Sequence, residues 1–187
     1  MLKQIYVETP KSQNKNIFEC RFGHNFRVML YISSMTDTIL KRLKQNRPFT
    51  DEAHEATVGL FTAASYLRGL VEDRCTPEGL NFNQYNILRI LKGSEHGLTR
   101  AAIIERMIDR GADVTRLINR MEKAGWVKRS RGIEDRRQTF HAITEKGTEL
   151  LTRVTPGIEE IQALLTDRLA PRDLRNLIGI CERLIDE

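Results

Sequence analysis

The amino-acid sequence predicts a mainly α-helical protein with one small β-hairpin, an α+β fold. Apolar residues recur every three or four positions over most of residues 52–187, which is the period of amphipathic helices. Within that region, two segments of alternating character, WVKRS and QTFHAIT, flank a charged turn and predict the hairpin. The chain of 187 residues, 40% hydrophobic and 29% charged, is also long enough to bury a core.

The first 51 residues are predicted to form a basic N-terminal extension. They contain nine Lys or Arg and four Asp or Glu, and polar stretches such as TPKSQNKN interrupt their apolar residues. Only residues 36–43 have the pattern of a short helix. We therefore predict that residues 1–51 are poorly ordered or form a short helix. A mobile tail and an arm that grasps DNA are both compatible with this composition.

The regular pattern begins with a long amphipathic helix within residues 52–80. Its apolar stripe consists of Ala53, Ala56, Leu60, Ala63, Leu67 and Leu70. The Pro and Gly of CTPEGLN end this helix. The next segment, NFNQYNILRILKG, predicts a second helix that an Asn caps and that ends at Gly93. This second helix opens a lobe over residues 81–145.

Two short helices follow in close succession. Thr99 is placed to cap the first, and the segment DRGAD is a tight connection in which Gly111 is expected to take a left-handed conformation. The second helix is predicted over about residues 112–124. Two helices joined this closely form a helix-turn-helix, whose second helix can enter the major groove of DNA.

The second of these helices has two chemically distinct faces. Its apolar face, which is predicted to hold it on the domain, consists of Val114, Leu117, Ile118 and Met121. Arg, Asn and Thr on the other face have the donors and acceptors that read base edges and phosphates. Together with the cap, the predicted DNA-contacting side chains are Thr99, Thr115, Arg116, Asn119, Arg120 and Lys123.

The hairpin follows directly, because Gly125 ends the helix. A hairpin in this place is the wing of a winged helix-turn-helix. Its predicted core contacts are Trp126, Val127, Phe140 and Ile143. Its tip carries three cations, which a narrow minor groove would attract. These cations are Arg131, Arg136 and Arg137.

Residues 146–187 are predicted to form C-terminal helices. Thr144 caps the first, which we expect to be bent or interrupted near Pro156 and Gly157. The last helix has an apolar stripe of Leu174, Leu177, Ile178, Cys181, Leu184 and Ile185. One lobe cannot cover these stripes together with that of residues 52–80. A homodimer would bury them, with N- and C-terminal helices as its dimerisation helices.

Charge and composition narrow the classes of function. Residues 100–140 contain eleven Lys or Arg and six Asp or Glu, between acidic flanks, a pattern typical of a polyanion-binding surface. No phosphate-binding glycine loop, metal-ligand spacing or nucleophile–base pair is evident, so we predict no enzyme, no metal and no cofactor. The three cysteines lie far apart at Cys20, Cys75 and Cys181 and predict no disulfide framework. The absence of a long apolar run predicts a cytoplasmic protein without a membrane segment.

The sequence resembles the MarR family of transcriptional regulators. The resemblance lies in VTRLINRMEKAGWVKR, followed after a short loop by DRRQTFHAITEKG, and extends over about residues 52–187. It implies a homodimer that binds pseudo-palindromic double-stranded DNA, usually as a repressor. Arg136 and Arg137 match the basic motif of the family's wing, and Asp135 is its acidic member. At Asn119 the sequence departs from the family, which often has an Asp that helps to hold a wing Arg.

The resemblance also implies a small aromatic or phenolic effector between the dimer helices and the DNA-binding lobe. Tyr66, Arg68 and Tyr85 are candidates for such a site and equally for ordinary packing residues. Two other functions stay open at this point. One is a winged-helix module that docks an acidic protein, and the other is a thiol-based redox sensor.

Overall fold

The structure is a computed structural model that describes residues 7–8, 17–22, 26–31, 36–132 and 137–186, with side chains from residue 39 onward. Arg136 and Asp135, which the sequence assigned to the wing, therefore lie outside the described residues. The chain divides into two compact units, residues 1–64 and 65–187.

The first unit contains a three-stranded antiparallel sheet that the sequence analysis did not predict. Its strands, in the order β1-β2-β3, are β1 Val7–Glu8, β2 Ile17–Phe22 and β3 Phe26–Tyr31. Strands β2 and β3 pair from Ile17 with Tyr31 to Phe22 with Phe26. The missed signal was the β-propensity of IFECRF and FRVMLY, which polar neighbours obscured. The predicted short helix is present as α1, Thr36–Arg42.

A long helix, α2 (Glu52–Cys75), runs from the first unit into the second. A single 3-10 turn over 76–78 follows, and Gly79 takes a left-handed conformation with φ of 75°. Helix α3 (Phe82–Lys92) begins with a capping box between Asn81 and Gln84 and ends at Gly93, as the sequence predicted.

The lobe over residues 81–145 combines two short helices with a second antiparallel sheet. The helices are α4 (Arg100–Arg106) and α5 (Val114–Lys123), and the strands are β4 (Leu98–Thr99), β5 (Val127–Arg131) and β6 (Thr139–Ile143). The strand order is β4-β6-β5, so β6 is the central strand. The sequence predicted β5 and β6. It did not predict β4, because two residues are too short to show an alternating pattern.

The C-terminal helices are α6 (Glu145–Arg168) and α7 (Pro171–Ile185). Of the predicted bend or interruption near Pro156, the interruption is wrong, because α6 is continuous through this residue. Burial of side chains on both sides, from Leu150 to Ile161, holds the helix despite the lost hydrogen bond. Gly157 lacks a Cβ for a different reason: the side chain of Arg74 packs there, 2.8 Å from where a Cβ would be.

The core of the second unit lies where α3, α5 and α6 meet the sheet. Its fully buried large side chains are Cys75, Ile87, Leu88, Leu91, Ile103, Ile118 and Met121. Leu150, Val154, Ile158 and Ile161 of α6 extend this cluster. The same core therefore holds α5 and α6 together in one unit.

Candidate nucleic-acid interface

Helix α5 is fixed at both ends by local interactions. The Asp113 side chain accepts a hydrogen bond from the Arg116 amide at 3.0 Å and caps the helix. At the other end, Gly125 takes a left-handed conformation with φ of 77°. The predicted apolar face, Val114, Leu117, Ile118 and Met121, is buried as a whole. The opposite face of α5 is thereby turned outward.

The face of α5 that the sequence predicts to contact DNA is one exposed surface. Its five side chains are Thr115, Arg116, Asn119, Arg120 and Lys123. Together with Asp113 they line a single open concavity. The cap of the preceding helix is confirmed, since the Thr99 hydroxyl accepts from the Ala102 amide at 3.3 Å. Thr99 is half-buried and lines the cavity between α5 and the sheet rather than the outward face of α5.

The turn between α4 and α5 differs from the prediction. Gly111 is not left-handed, because the side chain of Asp109 shapes the turn by accepting a hydrogen bond from the Gly111 amide at 3.1 Å. The second carboxylate oxygen of Asp109 accepts from Asn83 at 3.2 Å and from Arg68 at 3.4 Å. These bonds, that of Asn83 first, lower the pKa of Asp109. Helices α2 and α3 thus hold the turn that precedes α5.

The wing is anchored differently from the prediction at one residue. Val127 is buried, and Trp126 and Ile143 pack against the core as predicted. Phe140 is only half-buried and lies outside the core cluster, and His141 is the buried residue of β6. The reason is strand alternation. Val127 pairs with Ile143 and Arg129 pairs with His141, so these four side chains share one face. Phe140 lies on the other face.

The wing cations that the structure describes are exposed. Arg131 is the last residue of β5, and Arg137 lies just before β6. Arg137 also lines a cavity of about 530 Å³ between α5 and the sheet. The other lining residues include Thr99, Arg100, Thr115, Asn119, Arg129, Gln138 and His141. The structure therefore brings together, around this cavity, four of the residues predicted to contact DNA: Thr99, Thr115, Asn119 and Arg137.

Sequence reasoning missed two cations of this cavity, Arg100 and Arg129. Arg100 is the first residue of α4, and its guanidinium donates to the Thr115 hydroxyl at 3.0 Å. Arg129 lies in the middle of β5. The basic run KRSR did indicate Arg129, and its register opposite His141 would have placed it on the side of α5. Nothing in the local sequence indicated Arg100.

A carboxylate lies beside these cations on α5. Glu122 Oε1 is 3.0 Å from His141 Nδ1 and 3.5 Å from Arg129 Nε. Burial lowers the pKa of His141, and Glu122 opposes this effect, while the positive charges of Arg129 and Arg100 reinforce it. His141 is therefore held neutral near pH 7, with a carboxylate as its partner.

Of the three candidate effector residues, Tyr85 lines a described cavity that Tyr66 and Arg68 do not line. Tyr85 is buried, which raises its pKa, and it lines a cavity of about 260 Å³ between α3 and α6. The other lining residues described for this cavity are Arg89, Lys92, Leu151, Thr155, Ile158, Glu159 and Gln162. Arg68 instead stacks on the Phe82 ring at 4.8 Å and bonds Asp109. Tyr66 is half-buried on α2 and is likewise not part of this lining.

The two cysteines whose side chains the structure describes differ in burial. Cys75 is buried, and this desolvation, with the charge of Glu72, raises the pKa of its thiol to about 11. Cys181 is a half-buried free thiol, and the side chain of Cys20 lies outside the described residues. Within the described ranges, no group of His, Cys, Asp or Glu has the arrangement of a metal site. No helix there is long and apolar enough to cross a membrane.

Comparison with known proteins supports the reading of this lobe. A model of the MarR family matches residues 78–138, which contain α3, both helices of the helix-turn-helix and β5 of the wing, and which end just before β6. The chain is 25% identical over 154 residues to the HTH-type transcriptional regulator PecS of Dickeya dadantii (strain 3937), covering 78% of this chain and 91% of PecS. It is 29% identical over 127 residues to the homoprotocatechuate degradative operon repressor of Escherichia coli, covering 66% and 80%.

A solved structure extends this similarity to a complex with DNA. Sco3205, a MarR family transcriptional regulator from Streptomyces coelicolor crystallised with DNA, matches with a TM-score of 0.63 and 26% identity. The match covers 75% of this chain and 91% of Sco3205. The predicted architecture, mainly α with a small β-wing, is confirmed by this similarity and by the fold itself. The matched relatives are transcriptional regulators, which agrees with the prediction that the chain is not an enzyme.

Proposed function

Because this chain is a DNA-binding winged-helix regulator of the MarR family, we propose that it binds a pseudo-palindromic operator as a homodimer and represses transcription until a small effector binds. The outward face of α5 is the observation that carries the proposal. Five exposed polar side chains, three of them cationic, lie directly opposite a fully buried apolar face. Such a helix is held rigidly by its core while its free face enters the major groove.

The side chains of α5 divide by chemistry into two roles. Arg116 and Arg120 donate bidentately to guanine edges, and Asn119 pairs with adenine. Thr115 and Lys123, at the two ends of the face, contact phosphates and fix the position of the helix. Thr99 and Arg100 extend the phosphate contacts from the start of α4, since Arg100 already bonds the Thr115 hydroxyl.

The wing provides the second contact, in the minor groove. Arg131 and Arg137 are exposed at the ends of the segment between β5 and β6, and Arg136 lies within it by sequence. Inserted Arg side chains prefer a narrow minor groove, where the negative potential is enhanced. Sequence preference in the wing contact is therefore expected to follow groove width as much as base identity.

The homodimer is supported by an apolar surface that one chain leaves uncovered. None of the described residues of α7 is buried in the single chain, although the helix carries a continuous apolar stripe. Ile178, Leu184 and Ile185 are 58%, 62% and 80% exposed. A second copy of the chain would cover this stripe and would place two recognition helices on successive half-sites.

The effector is proposed to bind in the cavity that Tyr85 lines. Leu151 and Ile158 give this cavity apolar walls, and Arg89 and Lys92 give it a positive rim. A single aromatic ring that carries a phenol or a carboxylate fits this chemistry, the ring against the apolar walls and the anion at the cations. Tyr66 and Arg68 do not line this cavity, and their contact with an effector stays a prediction. Repression is supported by the Escherichia coli relative, which is an operon repressor.

A direct test is a mobility-shift assay with the DNA upstream of the chain's own gene, followed by footprinting with and without aromatic acids. We expect a protected pseudo-palindrome with two half-sites, and an affinity that falls steeply as salt rises. Release by an aromatic acid would identify the effector class. Failure of a folded dimer to bind this or other duplex DNA at low salt would favour the alternative of an acidic protein partner.

The redox alternative loses support at Cys75, because a thiol with a pKa of about 11 is protonated at neutral pH. A cytoplasmic location, predicted from the sequence, remains part of the proposal.

A further inference from the structure

The orientation of the wing needs an explanation, because the residue that the family uses for it is altered. Family members often have an Asp at the place of Asn119, where it helps to hold a wing Arg. Asn119 and Arg137 do line the same cavity. An amide, however, lacks the charge that makes an Arg contact strong. A carboxylate elsewhere on α5 would provide the negative charge that Asn119 lacks.

We propose that Glu122 is that residue, and that it positions the wing relative to the recognition helix through His141 and Arg129. The inference rests on the proposed function, in which α5 and the wing contact DNA together. It makes Glu122 a positioning residue that touches the wing and not the DNA.

The geometry joins one oxygen to two strands. Glu122 Oε1 lies 3.0 Å from His141 Nδ1 on β6 and 3.5 Å from Arg129 Nε on β5. His141 and Arg129 are direct cross-strand partners, and Leu98 of β4 pairs with His141 from the other side. The carboxylate therefore contacts the sheet at one of the two registers where all three strands are paired, the one at His141. A shift of the wing along or across α5 would break both contacts.

Burial of the His141 ring favours Glu122 over water as its hydrogen-bonding partner. His141 is 6% exposed, so its ring cannot exchange Glu122 for water without moving the central strand. Glu122 lies three residues after Asn119, on the same flank of α5. It therefore acts on the side of the helix where the family places its Asp, about one turn closer to the start of the wing.

The two possible roles of Glu122, a surface charge or a positioning residue, predict opposite changes in DNA affinity when its charge is removed. This difference makes the inference testable. An acid on the recognition helix repels phosphates, so its neutralisation should tighten DNA binding if Glu122 is only a surface charge. If Glu122 positions the wing, neutralisation should weaken binding, because the wing cations lose their alignment with the groove. The sign of the change decides between the two.

The variant Glu122→Gln keeps the size of the side chain and removes its charge. We expect it to bind the operator about tenfold more weakly than the wild type at fixed pH and salt, measured by fluorescence anisotropy, because a charge-assisted contact becomes a neutral one. The matched control is Glu105→Gln, which neutralises an exposed acid on α4 of the same lobe. It is expected to bind equally well or slightly more tightly. Circular dichroism and a thermal melt establish that both variants are folded.

Unchanged or tighter binding by folded Glu122→Gln overturns the inference. If the wild type itself binds no duplex DNA, it is the proposed function that fails, so the two failures are distinguishable.

A second measurement needs no substitution that might disturb folding. Nitrogen-detected NMR of the wild type should show His141 protonated at Nδ1 near pH 7.5, since the neutral ring must donate from that atom to Glu122. In Glu122→Gln, the pKa of His141 should fall below its wild-type value, because burial and the cations Arg129 and Arg100 are then unopposed. An unprotonated Nδ1 in the wild type would overturn the inference irrespective of the DNA-binding result.

Discussion

The residues that we propose to contact DNA and the residues that we propose to hold them in place follow different physical rules. Arg131 and Arg137 are exposed, and their effect depends on charge that reaches a groove. His141 is buried, and its effect depends on a neutral ring that fills the space between the sheet and α5. The basic pattern of the sequence indicates the first kind directly. The second kind becomes visible only when strand register is known, because a lone His gives no signal of burial.

Arg137→Ala is expected to weaken operator binding by about 1–3 kcal/mol, because one groove-inserted cation is lost. Arg168→Ala is the matched control. It removes the same charge from the end of α6, away from the proposed interface, and should change affinity little. Anisotropy titrations at several salt concentrations measure both effects. An unchanged affinity for Arg137→Ala would remove this side chain from the proposed DNA contact.

The stability of the lobe should depend on pH through His141. Its pKa is lowered in the folded state, mainly by burial, so the unfolded chain binds the proton more readily. The contribution of neutral His141 to stability is complete when the pH is above the pKa of the unfolded state, about 6.5. It is lost as the pH falls from that value to the lower pKa of the folded state. The thermal midpoint should therefore drop between pH 7.5 and 5.5, and less so in His141→Gln. Equal drops in the two proteins would contradict a buried neutral ring.

At the level of elements, sequence periodicity predicted helices better than it predicted their connections. The period of α5 was clear because Val114, Leu117, Ile118 and Met121 form an unbroken buried face. The turn before it was misassigned, because the Asp109 side chain shapes it by accepting a hydrogen bond from the Gly111 amide, and a side-chain network holds that carboxylate in place. That network joins Asp109 to Asn83 and Arg68, which are 26 and 41 residues away. No local reading can detect contacts at that separation.

The junction between the wing and α6 is expected to tolerate no side chain at Gly147. A Cβ there would collide with the Trp126 carbonyl and lie 3.0 Å from Ile143. Ala is the better helix former by about 1 kcal/mol, but a clash with rigid backbone outweighs this gain. Gly147→Ala should therefore destabilise the lobe by ~1–3 kcal/mol in urea unfolding.

Gly69→Ala provides the contrast for this junction. Gly69 lies within α2 with nothing within 4 Å of its Cβ position, so the same substitution should stabilise or be neutral. If the two variants lost similar stability, the close packing of α6 on the hairpin would not be what Gly147 provides.

For the whole molecule, the winged helix-turn-helix could be read from sequence because its signals are local. Helix caps, an amphipathic period and a hairpin define it between Thr99 and Ile143. The extension at residues 1–51 lacked such signals, and the strands β1, β2 and β3 were missed there. The proposed effector site was not predictable as a set, because Tyr85 meets its neighbours Leu151 and Ile158 only through the packing of α3 on α6. Sites built between elements depend on tertiary contacts that periodicity does not encode.

The proposed homodimer belongs to the scale of the whole molecule, and a substitution in α7 tests it. Leu184 is 62% exposed in the single chain and lies on the apolar stripe that a partner would cover. Leu184→Glu would place a charge in that interface twice, once from each subunit, because the interface of a two-fold dimer is self-complementary. We expect the dissociation constant of the dimer to rise by roughly 100-fold or more, as for the loss of a central interface residue.

Asn176→Glu is the matched control for this substitution. Asn176 is exposed on the opposite face of α7, so the same charge should leave the dimer intact. Sedimentation equilibrium measures the association, and anisotropy on full and half operators measures its consequence. The Leu184→Glu monomer should bind the two kinds of site with similar, weak affinity, because the gain from occupying both half-sites is lost. A wild type that sediments as a monomer, or a Leu184→Glu variant that remains dimeric, would show that α7 does not form the interface.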